Sequence, residues 1–346
     1  MPSKRTDSLP DGGLTGELGL LRQIRGRAGH ASGSAVRLGI GDDCAVLRPR
    51  AGEELAITTD LSIAGRHFRL DWHQPESIGH RALARGLSDL AAMGARPVAA
   101  FLSLGVPREL TQSAGRRPAW VTRFFDGLLA LATVHKTPLA GGDLAESPVA
   151  VADIVLVGAV PRGKALLRSG ARPGDWLYVT GALGGAAAGL SRLAELAGSR
   201  PDAAQPPRIS KKLEALLSPH LYPQPRVRQG LWLVRHGAAA AAIDISDGLS
   251  TDLAHLCEES GVAAEVDGGL LPIGPGATMA QALHGGEDYE LLFTAPATIR
   301  LPGKIADVKI TRIGRITKLA KGRPAVTLIT PQGSQPMIHQ GWEHFV

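Results

Sequence analysis

Cysteine is nearly absent: Cys44 and Cys257 are the only two in 346 residues. That excludes a disulfide framework and suits a reducing, cytoplasmic setting. Aromatic residues are also sparse, at 4%. The formal net charge is +6, but the basic residues are scattered, with no dense Lys/Arg block and no interleaved aromatics. This pattern argues against a nucleic-acid partner and for a solvated basic surface that attracts anionic substrates. There is no run of about 18 apolar residues, so no membrane-spanning helix and no membrane partner are expected. The polar stretch Met1 to Gly13 has no apolar run behind Lys4 and Arg5 and does not read as a signal peptide. Without Gly-x-x-x-x-Gly-Lys-Ser/Thr, the P-loop route to a nucleotide is excluded. Without His-Glu-x-x-His or Cys-x-x-Cys, a zinc site has no support.

What is present is a globular composition, 44% hydrophobic and 20% charged, in a chain long enough for two domains. The 43 glycines sit in short clusters between apolar runs, the mark of tight loops in an α/β protein. A short helix is expected around Leu18 to Ile24, and a strand, acidic turn and strand over Val36 to Leu47. Leu55 to Thr59 reads as a short strand running into Asp60. Ile78, Ala82, Leu83, Leu87 and Leu90 recur at helical spacing and predict a helix from Pro75 to Met93. Strands at Pro97 to Val106 and Val149 to Val160 flank a helix at Pro118 to Thr133. After Pro161 a basic stretch carries the turn signals Ser169-Gly170 and Pro173-Gly174, which sets a domain boundary between residues 1–160 and 161–346. Beyond it, strands are expected at Trp176 to Thr180, Ala238 to Ile245, Tyr289 to Thr294 and Arg312 to Thr317. Helices are expected at Gly184 to Leu196 and Gly248 to Ser260, with a mobile loop at Ser199 to Pro207.

The acids are the informative feature. Asp42 and Asp43 follow Gly39-Ile40-Gly41, Asp60 follows Thr58-Thr59, and Asp143 follows Gly141-Gly142. Asp244 and Asp247 bracket Ile245-Ser246, and Glu287 and Asp288 follow Gly285-Gly286. Most close an apolar strand beside glycines that let backbone approach a ligand. Turn or N-cap chemistry explains any one of them. It does not explain the set, whereas a hard cation requires several oxygen ligands, and Mg²⁺ takes a few carboxylates plus waters and phosphate oxygens. Asp89 is different, lying on a helix with the small residues Ser88, Ala91, Ala92 and Gly94, where an acid needs a partner. Gly181-Ala182-Leu183-Gly184-Gly185 opens a helix, either as a phosphate loop or as the commoner strand-to-helix turn.

Five blocks in order resemble the thiamine-monophosphate kinase family, within the superfamily that includes aminoimidazole ribonucleotide synthetase. They run Gly39 to Leu47, Thr58 to Asp60 with Gly65 to Phe68, Leu87 to Ala95, Ile243 to Leu249, and Gly285 to Leu291. The closing Gly341 to Phe345 fits as well. The resemblance implies a two-domain α/β (α+β) fold of the aminoimidazole ribonucleotide synthetase type, with the N-terminal sheet pairing across a homodimer. It implies transfer of the γ-phosphate of ATP to thiamine monophosphate. It also implies Mg²⁺ at Asp43, Thr58, Thr59, Asp60, Asp89, Asp143, Asp244 and Asp247, and ATP at Gly142, Asp143, Arg168 and Ser246. Thiamine monophosphate would meet His67, Glu287 and Trp342. A cationic thiazolium suits an aromatic face and a carboxylate. Read alone, Trp342 is better explained as a core-covering aromatic and His67 as a satisfied polar residue. The implied transfer is direct and in-line, with no covalent nucleophile, because the acceptor oxygen is already an anion.

The chain departs from the family at a loop and a helix position, and the Ser199 to Pro207 loop and the Arg-rich N-terminus match it poorly. Leu144-Ala145-Glu146-Ser147 follows Gly141-Gly142-Asp143 where threonines and an arginine are usual, and Gly86 stands where Asn is usual. Two rival readings remain: another ATP-using enzyme of the superfamily, and a nucleotide-binding regulator without catalysis.

Overall fold

Apolar strands build one large sheet in each half of the chain, with a small two-stranded sheet beside them, and one helix packs between the two large sheets. The computed structural model describes residues 17–28, 35–115, 117–199, 205–322, 324–338 and 340–341. The first half contains α1 (Glu17–Ala28), β1 (Val36–Leu38), β2 (Val46–Leu47), β3 (Glu53–Ile63), α2 (Pro75–Ala92), β4 (Arg96–Val106), α3 (Trp120–His135), β5 (Leu139–Glu146) and β6 (Val151–Pro161). Strands β3, β6, β4 and β5 form a four-stranded sheet in that order, with β4 and β5 parallel and the other pairs antiparallel.

The second half contains β7 (Trp176–Thr180), α4 (Gly185–Gly198), α5 (Lys211–Leu221), α6 (Val227–His236), β8 (Ala241–Ile245), α7 (Leu249–Ser260) and β9 (Val262–Asp267). It continues with α8 (Met279–His284), β10 (Glu290–Ala295), β11 (Lys304–Ile305), β12 (Val308–Lys318), β13 (Val326–Thr330) and β14 (Gly333–Pro336). Its sheet runs β14-β13-β9-β12-β7-β10-β8, with β11 paired to β12. The architecture is mixed α/β, as expected.

Helix α2 begins at Pro75, whose missing N–H costs nothing in the first turn. Leu83 and Leu87 are fully buried. The helix is enclosed because it packs on α3 and its own sheet while also meeting α6 and β8 of the second half. At that seam, a Cβ on Gly230 of α6 would sit 2.0 Å from the Ala91 carbonyl oxygen, so only glycine permits the approach. One apolar core therefore runs across both halves, joining Leu87 and Ile154 to Leu233, Ala242 and Phe293.

Strand β3 is longer than its apolar run. It continues through Asp60 to Ile63 because every residue from Glu53 to Ile63 finds a partner on β6. Its side chains alternate: Leu55, Ile57, Thr59 and Leu61 are exposed on one face, while Thr58, Asp60 and Ser62 turn toward α2. Strand β5 likewise runs on through Gly141-Gly142-Asp143 to Glu146.

Candidate active site

A cleft of about 540 Å³ lies where β3, α2, α4, β8 and the loop before β10 meet. Asp60, Asp89, Asp244, Ser246 and Asp247 line it, together with His67 and Glu287. These residues come from four of the sequence blocks, so the chain brings distant motifs to one place.

The carboxylates are wired to their neighbours. Thr58 donates its hydroxyl to Asp89. Ser88 donates to Asp244 across the seam at 2.7 Å. Arg85 faces Asp60 at 3.4 Å and donates to Ser62 at 3.3 Å. Burial pushes Asp60 up to about 6, with Arg85 working against it and Asp89 adding to it. Burial, and then Asp89, push Asp244 up to about 7. Burial also raises Asp89, against its hydrogen bond from Thr58. Asp89 adds to the rise of both Asp60 and Asp244, the mark of a cleft with more acid than nearby positive charge.

Two loops are held rigid by further acids. Asp252, one turn into α7, accepts the backbone N–H of Ser246, Asp247 and Gly248 at 3.0, 3.1 and 3.1 Å. That fixes the Asp244 to Asp247 segment. Asp288 accepts from Gly184 at 2.5 Å and Ala186 at 3.0 Å. The glycine loop at Gly181 to Gly185 thus gives its helix N-terminus to the protein's own carboxylate, which supports its reading as a structural turn.

Glu287 sits in the left-handed region at φ 66°, and Tyr289 at φ 50°. Such backbone is costly for residues with a Cβ and clusters at functional sites. The Glu287 carboxylate accepts from Arg81 Nη2 at 2.6 and 2.7 Å. Burial opposes its charge, but Arg81 and His220 outweigh burial and hold the carboxyl far below the usual range. His67 Nδ1 accepts the Ile63 N–H at 3.1 Å, so the ring is built into the turn after β3.

Several predicted residues lie outside this cleft lining. Asp43, Thr59, Gly142 and Asp143 are exposed. Thr59 points to the opposite face of β3 from Thr58 and Asp60. Arg168 is exposed, yet its charge acts on Asp89 and Asp244. In the departed segment, Glu146 pairs with Arg108 at 2.8 Å. Trp342 and most of the closing block lie outside the described residues, as does residue 200–204 of the expected mobile loop. Gly86 fits its place physically: a Cβ there would meet Leu156 Cδ1 at 2.7 Å.

The cleft also holds Arg66, Phe68, Trp72, Arg85 and Tyr289, which motif reading did not single out. One signal was available: Arg81, Arg85 and Asp89 are four residues apart and share one face of α2.

Among the described residues, no three His, Cys, Asp or Glu side chains converge closely enough to hold an ion by themselves. The donor chemistry nevertheless fits magnesium: the cleft offers hydroxyl and carboxylate oxygens, and its acids stay raised despite Arg85 and Arg168 nearby. A magnesium site needs only one or two carboxylates when water and phosphate oxygens supply the rest.

Residues 41–160 match the family described as AIR synthase related protein, N-terminal domain, and residues 172–323 match the corresponding C-terminal domain. The thiamine-monophosphate kinase of Escherichia coli is 38% identical over 342 residues, covering 95% of this chain and 98% of that protein. The crystal structure of thiamine-monophosphate kinase from Stenotrophomonas maltophilia superposes with a TM-score of 0.76 at 38% identity, covering 89% of this chain and 95% of that one. A structure described as AaThiL complexed with AMPPCP and TMP superposes with a TM-score of 0.71 at 30% identity, covering 95% and 97%.

Proposed function

We propose, from the premise that this chain belongs to the thiamine-monophosphate kinase family, that its cleft transfers the γ-phosphoryl group of ATP to the phosphate of thiamine monophosphate. One observation carries this reading. Asp60, Asp89 and Asp244, from three distant motifs, share a cleft with Arg66, Arg85 and the ionised Glu287. Acids that can take a cation, fixed positive charges and a lone substrate-facing carboxylate together suit two phosphorylated substrates, one of them carrying a cationic ring.

In the transfer, an oxygen of the acceptor phosphate forms a bond to the γ-phosphorus. The bond from that phosphorus to the β-phosphate oxygen breaks, and ADP leaves with the electron pair. The attacking oxygen is already ionised, so no side chain has to remove a proton and none forms a covalent intermediate. What the residues supply is position and charge. Arg85 lies between the carboxylates and Glu287, feeling the charges of Asp60, Asp89 and Glu287. Asp252 and Asp288 keep the two loops from moving as charge shifts. Magnesium, when bound, would neutralise the phosphates. Thr58, Asp60, Asp89, Asp244 and Asp247 would hold it, with Asp43, Thr59 and Asp143 completing the proposed set. ATP would meet Gly142, Asp143, Arg168 and Ser246. Thiamine monophosphate would meet His67, Glu287 and Trp342.

The same proposal makes residues 1–160 the nucleotide, metal and dimerisation domain and residues 161–346 the second domain, in a cytoplasmic homodimer. The exposed face of β3 supports the dimer: Leu55, Ile57 and Leu61 are 44%, 65% and 47% exposed on one side of the sheet. A second copy laid on that face would remove this apolar surface from water.

The test is product analysis. With ATP, Mg²⁺ and thiamine monophosphate, thiamine diphosphate and ADP should form in equal amounts. With γ-labelled ATP and no acceptor, the protein should carry no label. ADP release that ignores thiamine monophosphate would sink the reading.

A further inference from the structure

Glu287 is held by a contact that leaves it a degree of freedom. Both of its oxygens accept from a single Arg81 nitrogen, Nη2, at 2.6 and 2.7 Å. This is not the two-nitrogen fork that locks a carboxylate in plane. Among the described residues, nothing accepts from Arg81 Nε or Nη1. A carboxylate resting on one nitrogen can pivot, and 27% of its side-chain surface is exposed in the cleft. A second anchor would stop the pivot.

The second anchor is His220 of α5, whose Nδ1 lies 3.5 Å from a Glu287 oxygen. The Nε2 of His220 meets Nε2 of His73 at 3.0 Å, and the rings are tilted at 56°. Both histidines are buried, each 2% exposed. Two facing Nε2 atoms at this distance require one to carry the proton and the other to accept it. At one end the Arg69 N–H and the Arg69 carbonyl oxygen both lie 3.1 Å from His73 Nδ1, so that end suits either tautomer, and the other end, at Glu287, is the one that selects. If His73 Nδ1 accepts, its proton sits on Nε2 and goes to His220. The proton of His220 then sits on Nδ1 and faces Glu287. In this order the Nδ1–H dipole of His220 points at the carboxylate across 3.5 Å, an attractive contact longer than a hydrogen bond. In the reverse order His73 Nδ1–H goes to the Arg69 carbonyl, but a lone pair on His220 Nδ1 faces the carboxylate, which repels it. Burial first, and Arg81 after it, lower both rings' proton affinity and keep them neutral.

We propose that His73 and His220 are positioning residues: a relay of two neutral, hydrogen-bonded imidazoles that turns an Nδ1–H dipole toward the Glu287 carboxylate and sets its rotation for the acceptor substrate. The relay links the cleft loop that carries Arg66 to Trp72 with α5 and with the loop before β10. A change in either loop is thereby felt at Glu287. This rests on the reading of Glu287 as an acceptor contact, and the experiment separates the two.

Three variants are compared by their KM for thiamine monophosphate and for ATP. Glu287→Gln should raise the acceptor KM about tenfold. His220→Leu should raise it by a similar factor with the KM for ATP unchanged. His220→Asn, which keeps a donor near the Nδ1 position, should recover part of the loss. An unchanged acceptor KM in Glu287→Gln would remove the reading of Glu287 and the relay with it. A raised KM in Glu287→Gln with a normal KM in His220→Leu would overturn the relay alone. So would equal losses of affinity for both substrates in His220→Leu, which would mark a merely structural residue. The wild-type protein, labelled with ¹⁵N-histidine, gives a check that does not depend on a variant folding. The two rings should be neutral, His73 protonated on Nε2 and His220 on Nδ1, assigned with His73→Gln and His220→Asn. Opposite tautomers, or a charged ring at neutral pH, would overturn the proposal.

Discussion

The two ends of the cleft handle buried acid in opposite ways. Helix α2 carries both: Arg81 beside Glu287 and, two turns later, Asp89 beside Asp60 and Asp244, a separation of about 12 Å along the helix axis. At the Glu287 end the counter-charge is part of the chain, and the carboxyl is driven low. At the Asp89 end the acids outnumber the nearby cations and are driven high, Asp60 to about 6 and Asp244 to about 7. Burial is the first influence on all of these groups. What separates them is whether a guanidinium outweighs it. An acid whose charge is matched within the chain can recognise a substrate, while acids that outnumber their cations can receive one.

The strongest way to break this contrast is at the acid-rich end. Asp244→Ala should lower kcat by about a thousandfold while the protein remains folded, as judged by circular dichroism. At the other end, Glu287→Gln should act on acceptor affinity instead, by about tenfold in KM. A large kcat loss there with normal KM would mean that the two ends are not functionally distinct. A smaller effect concerns protons. Because Asp60 and Asp244 bind protons up to about 6 and 7, protons should compete with magnesium. Mg²⁺ affinity by calorimetry should therefore rise several-fold from about pH 5.5 to 7.5, with protons released on binding. No pH dependence would show that the acids are already ionised.

The smallest effect is on stability. The folded protein keeps His73 neutral, its affinity for protons lowered to about 2 mainly by burial and then by Arg81. The unfolded chain takes up a proton there near pH 6.5, so it binds more protons than the native state below that pH. Stability should then fall as pH drops from about 6.5, by up to about 1.4 kcal/mol per pH unit for one such group. His73→Gln should make the acid-side slope of urea unfolding shallower by about that amount. An unchanged slope would place the proton uptake elsewhere.

Much of this was legible in the sequence where one local rule acted alone. The helical period of Ile78, Ala82, Leu83, Leu87 and Leu90 marks α2, acids at strand ends mark Asp60 and Asp244, and Asp89 stands out as an acid among small residues on a helix. Strand β3 outran its apolar run because partner strand β6 holds it to Ile63, which no local pattern reports. Helix α5 contains Pro219, a residue that argues against a helix in sequence. Strand β9 follows α7 with only Gly261 between them, too little to show as a break. The His73–His220 contact joins residues 147 apart. Neither histidine belongs to a motif, and only the packing of α5 against the loop before α2 brings them together.

The most direct test of the central claim is acceptor-dependent ADP release, measured for the wild type and Asp89→Ala with ATP and Mg²⁺. The wild type should release ADP only with thiamine monophosphate present, matched by thiamine diphosphate, and the variant should release almost none. A folded wild type without acceptor-dependent turnover, or an Asp89→Ala variant as active as the wild type, would contradict it.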